Sequence, residues 1–219
     1  LYVRGLTDRP VKNSAIRSVE HAAALAWPGG EHQWLDGWLL RAEPGADLAA
    51  NSAVPLDMFA HPNTIPAIID WYAQRDLPPT LAIPERLLRV PESIPDLWET
   101  RTLVRELPAD APAEQVTLAT DDEVVLASIP GVAQGRGAVT DAPDGTRWLG
   151  VTGLHVVPEH RGQGHGRAVC AALQAWGADR GATRGYAQLA SDDPHTFAFF
   201  EAVGFAGQHR TRYIDARSL

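Results

Sequence analysis

The chain has 219 residues, 45% of them hydrophobic and 21% charged, enough to bury the core of one large domain or two of roughly 100 residues each. Its net charge of -8 is spread as about -5 over residues 1–110 and about -3 over the remainder, so no basic face is expected, and neither nucleic acid nor an anionic membrane is an expected partner. The single cysteine, Cys170, excludes an internal disulfide and a Cys-based zinc site. With no long apolar run and no secretory layout at the N-terminus, the expected location is the cytoplasm. The first residue is Leu1 rather than methionine, which reads as a fragment of a longer product.

Apolar residues at helical spacing (Ile16, Val19, Ala23) predict a helix over 15–25, stopped by Trp27-Pro28-Gly29-Gly30. "WLDGWLLRAE" and "ANSAVPLDM" read as strands of a hairpin around Pro44-Gly45-Ala46-Asp47. "NTIPAIIDWYAQRDLPP" predicts a second helix, ended by Pro78-Pro79. "TLAIPERLL" and "WETRTLVREL" predict two more strands. The acid- and proline-rich "LPADAPAEQ" marks a boundary, dividing the chain into 1–110 and 111–219.

Beyond it "VTLAT", "VVLASI", "GVAQGRGAVTD" and "TRWLGVTGLHVV" read as four strands. The loop "PEHRGQG" leads to a helix over 166–180, with Val169, Leu173 and Trp176 on one face and Gly181 as its stop. "YAQLA" is the next strand, then comes a short helix with Asp193 as N-cap, Pro194 at its first position and Gly204 as its end. "QHRTRYIDA" reads as a last strand.

A strand, three glycines and a helix in succession leave the helix's first amides and its positive dipole end facing the loop, a geometry suited to phosphate. Gly162, Gly164 and Gly166 let backbone N–H groups approach a pyrophosphate, and Arg161 and Arg167 add charge. The Gly-Lys-Ser/Thr of a Walker loop is absent, and the glycine spacing is not that of a dinucleotide fingerprint.

"LHVVPEHRGQGHGRAV" resembles the acyl-CoA signature of the GNAT N-acetyltransferase superfamily, with Val156, Pro158, Arg161, Gly164 and Gly166 in the signature places. "YAQLASDDPHTFAFFEAVGF", about 25 residues on, is similar to that superfamily's next strand and helix. The resemblance implies an α/β (α+β) fold, a mixed central sheet flanked by helices. It implies an acetyl-CoA cofactor whose pyrophosphate lies on Arg161, Gly162, Gln163, Gly164, His165, Gly166 and Arg167. It also implies that Leu154, His155 and Val156 form a strand that splays from its neighbour and pairs with pantetheine, with Asp193 and Phe200 alongside. The activity implied is acetyl transfer to a primary amine of a small molecule, such as the amino acid glutamate, or of a peptide.

The sequence departs from the family pattern at three places. The tyrosine that protonates the leaving thiolate falls on Phe200, which has no proton to give; this keeps open a reading as an acyl-CoA-binding sensor or regulatory module. The motif's asparagine falls on Asp193, whose plain role is a helix cap. No general base is fixed. His155 is the candidate, while His160 and His165 read as loop surface and no metal site is expected. Finally, only Asp121, Asp122 and Glu123 stand where the family places two helices. A segment missing there is the expectation, since direct closure would leave one sheet face bare. Residues 1–110 are then a degenerate sibling lacking the phosphate loop. "DGWLLRAEPGADLAANSAVPL" resembles actinobacterial tandem-GNAT proteins, some of them N-acetylglutamate synthase-like.

Overall fold

The described residues of this computed structural model are 11–26, 30–107 and 115–219. The breaker at Trp27-Pro28-Gly29 and most of the boundary stretch lie outside them. Helix α1 (Asn13–Leu25) is followed by β1 (Glu31–Leu35) and β2 (Trp38–Ala42). The single strand expected across "WLDGWLLRAE" is thus two, folded at Asp36-Gly37. Both residues have positive φ (45° and 84°), the conformation a two-residue hairpin turn requires and an Asp-Gly pair supplies.

The connection from β2 to β3 (Ala53–Pro55) is held by Asn51. Its Oδ1 accepts from Glu43 N at 2.8 Å and its Nδ2 donates to Glu43 O at 2.9 Å. Arg41 reaches Ser52 Oγ at 2.9 Å. "GWLLR" and "ANS" are therefore a buried strand and the clasp of a turn. Helix α2 (Ile65–Ala73) ends before the proline pair expected to stop it; Asp76 is already left-handed at φ 54°, which no helix continues through. Strands β4 (Thr80–Pro84) and β5 (Trp98–Glu106) complete the first half.

The second half runs β6 (Thr117–Asp121), β7 (Val124–Ile129), β8 (Ala133–Asp141), β9 (Arg147–Val156), α3 (His165–Asp179), β10 (Arg184–Ala190), α4 (Pro194–Ala202) and β11 (Ala206–Asp215). Each element expected from the sequence is present here. Gly181 (φ 81°) and Gly204 (φ 92°) stop the helices where expected.

Among the described residues, eleven strands form one sheet in the order β1-β2-β3-β4-β11-β5-β10-β9-β8-β7-β6. Two antiparallel pairings, a helical crossover and a parallel pairing occur twice, as β1-β2-β3-α2-β4 and as β7-β8-β9-α3-β10. The strand that closes each run is exchanged. β5 pairs with β10 of the second half, β11 pairs with β4 of the first, and the two meet antiparallel at the centre.

Helix α3 packs Val169, Cys170, Leu173 and Trp176 on one face of the second half, in a core with Leu149, Val151 and Phe200. The opposite face is not bare. Val19, Ala22 and Ala23 of α1 cover it at Trp148 and Tyr186, and Trp148 Nε1 donates to Ser18 Oγ at 3.0 Å. The face that direct closure was expected to leave bare, the reason for expecting a missing segment, is thus covered by α1. β6 and β7 join through a tight turn with Asp122 at φ 51°, and the cover arrives from a helix about 130 residues away in sequence.

Candidate active site

Strands β9 and β10 run parallel for only three residue pairs, Arg184–Trp148, Gly185–Leu149 and Tyr186–Gly150. Beyond Gly150, β9 continues to Val156 and β10 to Ala190 without pairing to each other. The cause is visible on the other side of β9. Its register with β8 slips between Gln134–His155 and Arg136–Thr152, so Gly153 and Leu154 together oppose Gly135. Gly153 takes φ 60° there, and such a bulge bends its strand and increases its local twist. At the closed end the Tyr186 ring lies across Gly150, where a Cβ would overlap its hydroxyl. The result is a wedge-shaped gap between two parallel strands, each with a run of backbone groups not bonded to the other.

At the open end β9 passes through a turn of 3-10 helix (Pro158–His160) into α3. Gly164 is the residue before the helix, at φ 87°, and Gly162 lies at φ 75°. A Cβ at either position would meet nothing within 4 Å, so open space adjoins both glycines and the unpaired amides of the first helical turn. Gly166 differs: a Cβ there would stand 3.3 Å from the Phe199 ring and 3.4 Å from Val156, so this glycine lets α3 lie close to β9 and α4. Arg161 Nε donates to Val156 O at 3.1 Å, which leaves its terminal amino groups available beside the loop but occupies one of the carbonyls expected for pantetheine. Gln163 donates to Glu159 O at 3.3 Å, and Arg167 to Ala202 O at 3.4 Å. Empty space over the glycines, unpaired amides and two arginines fit a diphosphate.

The other expected site residues divide. His155 is exposed on β9, with its register partner Gln134 on β8. His160 and His165 face each other edge to face with centroids 6.0 Å apart, and no group of three metal-binding side chains occurs among the described residues. Asp193 caps α4, accepting from Thr196 N at 3.0 Å and from Thr196 Oγ1 at 2.6 Å. Those hydrogen bonds hold its carboxyl below the usual range. Phe200, 2% exposed, packs edge-on to Phe199 and Phe205, so its ring stands behind the gap as core. Cys170 is likewise interior, its thiol pushed up to about 11 by burial.

Glu20 and His209 escaped the sequence reading. They form a buried pair, Oε1 to Nε2 at 2.7 Å, joined by Gln188 and Thr102. One signal was available: Glu20 stands four residues after Ile16 on the apolar stripe of α1, where a charge needs a partner. Nothing local marks His209 as that partner.

The family described as "Probable histone acetyltransferase Rv0428c C-terminal" matches residues 13–122 and 109–214. The probable histone acetyltransferase Rv0428c of Mycobacterium tuberculosis is 46% identical over 241 aligned residues, covering 99% of this chain and 79% of that protein. That span exceeds the 219 residues of this chain, so the relative carries residues that this chain lacks. A GCN5-related N-acetyltransferase from Kribbella flavida superposes with TM-score 0.63 at 16% identity, over 92% of this chain and 94% of that one. An acetyltransferase of the GNAT family from Novosphingobium aromaticivorans gives 0.58 at 16% identity, over 94% and 96%. At such identities the likeness is one of fold, and the fold is the GNAT fold.

Proposed function

The chain belongs to the Rv0428c C-terminal family of GNAT acetyltransferases, and from that premise we propose that it uses acetyl-CoA to acetylate a primary amine. The observation that carries this reading is the gap that opens after Gly150 and Tyr186, with the open glycine loop at its end. Acetyl-CoA, when bound, supplies an acyl group already activated as a thioester. Arg161, Gly162, Gln163, Gly164, His165, Gly166 and Arg167 hold its diphosphate through helix amides and guanidinium groups. The gap-facing backbone of Leu154, His155 and Val156 aligns the pantetheine arm. A backbone N–H along this edge would donate to the carbonyl oxygen of a thioester held there and stabilise negative charge on it.

The acceptor is a small amine, an amino acid such as glutamate among the candidates, or a lysine of a peptide. The relative named as a probable histone acetyltransferase favours the peptide. In this reading 1–110 is a GNAT-like half without a phosphate loop and 111–219 is the cofactor half, a tandem arrangement supported by the repeated strand order. Among the described residues no helix is long and apolar enough to cross a membrane, and a cytoplasmic location suits a supply of acetyl-CoA.

Calorimetry with coenzyme A tests the cradle. Gly164→Asp places a charge and a Cβ beside the diphosphate at a left-handed residue, and it is expected to abolish measurable binding; unchanged affinity would remove the loop from the site. Release of free thiol in the presence of polyamines, amino acids and a histone-tail peptide tests the transfer. Phe200 favours one second reading, an acyl-CoA sensor, because neither its chemistry nor its burial lets it protonate a thiolate. Faster thiol release by Phe200→Tyr decides for the enzyme; tight cofactor binding with no turnover in either form decides for the sensor.

A further inference from the structure

The polar atoms buried beneath α1 form a chain that ends at the strand gap. Glu20, 5% exposed, accepts at Oε1 from His209 Nε2 at 2.7 Å, from Gln188 Nε2 at 3.0 Å and from Thr102 Oγ1 at 3.3 Å. His209 Nδ1 is in turn 2.9 Å from Gln208 Oε1. A carboxylate only accepts, so the Gln188 amide is not free to flip: its NH2 faces Glu20 and its carbonyl oxygen points away. That oxygen has no partner among the described residues and is not among their enclosed unpartnered atoms, so it is open to solvent.

Its position gives this orientation a use. Gln188 comes two residues after Tyr186, the last residue of β10 paired with β9, so it shares the sheet face of Tyr186 under α1 and stands where β9 has already turned away. On β9 the corresponding residue is Thr152, two after Gly150, and it is exposed. Gln188 and Thr152 therefore flank the gap just beyond its closed end, on the face opposite α3.

We propose that the carbonyl oxygen of Gln188 accepts a hydrogen bond from the N–H of the acceptor amine and so aims it into the gap, with Glu20 and His209 as positioning residues that lock the amide. The proposal rests on the acetyl-transfer reading of the gap, and it adds to that reading the residue on which the acceptor docks. It also gives the two halves a shared task, since Glu20 comes from the first half and Gln188 and His209 from the second.

The test uses the full chain saturated with coenzyme A, labelled with 15N and titrated with propylamine, spermidine and a lysine-containing histone-tail peptide. Shifts of the Gln188 side-chain amide signals by at least one of these amines, lost in Glu20→Gln, are expected. In turnover, Gln188→Leu raises KM for the amine about tenfold, the size of one hydrogen bond, and leaves KM for acetyl-CoA unchanged. His209→Gln keeps a donor to Glu20 and retains the wild-type KM, whereas His209→Leu reproduces the Gln188→Leu defect, a pattern that loss of packing alone would not give. Gln188 signals unmoved by every amine, or an amine KM unchanged in Gln188→Leu, overturn the proposal while coenzyme A still binds. Failure of coenzyme A to bind wild-type protein overturns the cofactor reading together with it.

Discussion

At the residue scale, Asp193 separates two roles that the sequence leaves superimposed. Its carboxylate accepts from Thr196 N and Thr196 Oγ1, the bonds of a helix cap that holds α4 in place. Its carboxyl titrates below the ordinary carboxylate value, and stabilisation of that sign is present above the unfolded pKa of about 3.9 and is lost as pH falls through the folded value. The difference in melting temperature between wild type and Asp193→Ala is therefore expected to be full at neutral pH and to shrink below about pH 4. A difference independent of pH would mean that the cap does not act through the ionised group. Gly177 gives a second case. A Cβ there would stand 2.9 Å from Leu149 Cδ2 and 3.0 Å from Leu149 Cβ, so Gly177→Ala is expected to cost about 1–3 kcal/mol through overpacking, although alanine is the better helix former. Denaturant titration measures it, and a stabilised variant would show that Leu149 has room to move.

At the scale of elements, the gap between β9 and β10 makes a prediction about amide exchange. The β9 amides after Gly150 that are not bonded to β8 have no β10 partner, so they are expected to exchange rapidly in the free protein and to slow when coenzyme A is added. Mass spectrometry of peptides spanning 151–156 checks this; protection unaffected by coenzyme A would place the cofactor elsewhere. Helix α3 and its glycine loop were legible from sequence because every signal is local: the left-handed glycines, the apolar stripe Val169, Leu173 and Trp176, and the stop at Gly181. The Asp36-Gly37 turn was equally local but lay inside an apolar run that reads as one strand. α1 was legible as a helix but not as the cover of β8 and β9, because its apolar stripe says that it packs without saying on what.

At the scale of the whole molecule, the exchange of β5 and β11 makes the halves interdependent. β5 pairs along its length with β10 through seven register pairs, from Arg184–Glu106 to Ala190–Thr100, and β11 completes the sheet of the first half at β4. Residues 1–110 and 111–219 made separately are each expected to lack a central strand and to expose an open sheet edge, a template for aggregation. Mixed, they are expected to reassemble. Circular dichroism and light scattering of the fragments, apart and together, test this, and two stable monomeric halves would contradict it.

The sequence by itself determined the nature of the second half, because turn residues, capping residues, helix stripes and the glycine loop act over a few residues and write their positions directly into the chain. It also contained Phe200 in place of a proton donor. Only the tertiary structure decided that Phe200 is core, that α1 closes the face left open by the short β6–β7 turn, and that Glu20 meets His209 across 189 positions. Such partners are chosen by burial and by the need of an enclosed carboxylate for donors, and these forces act through space, so neither end of the contact carries a local mark of the other.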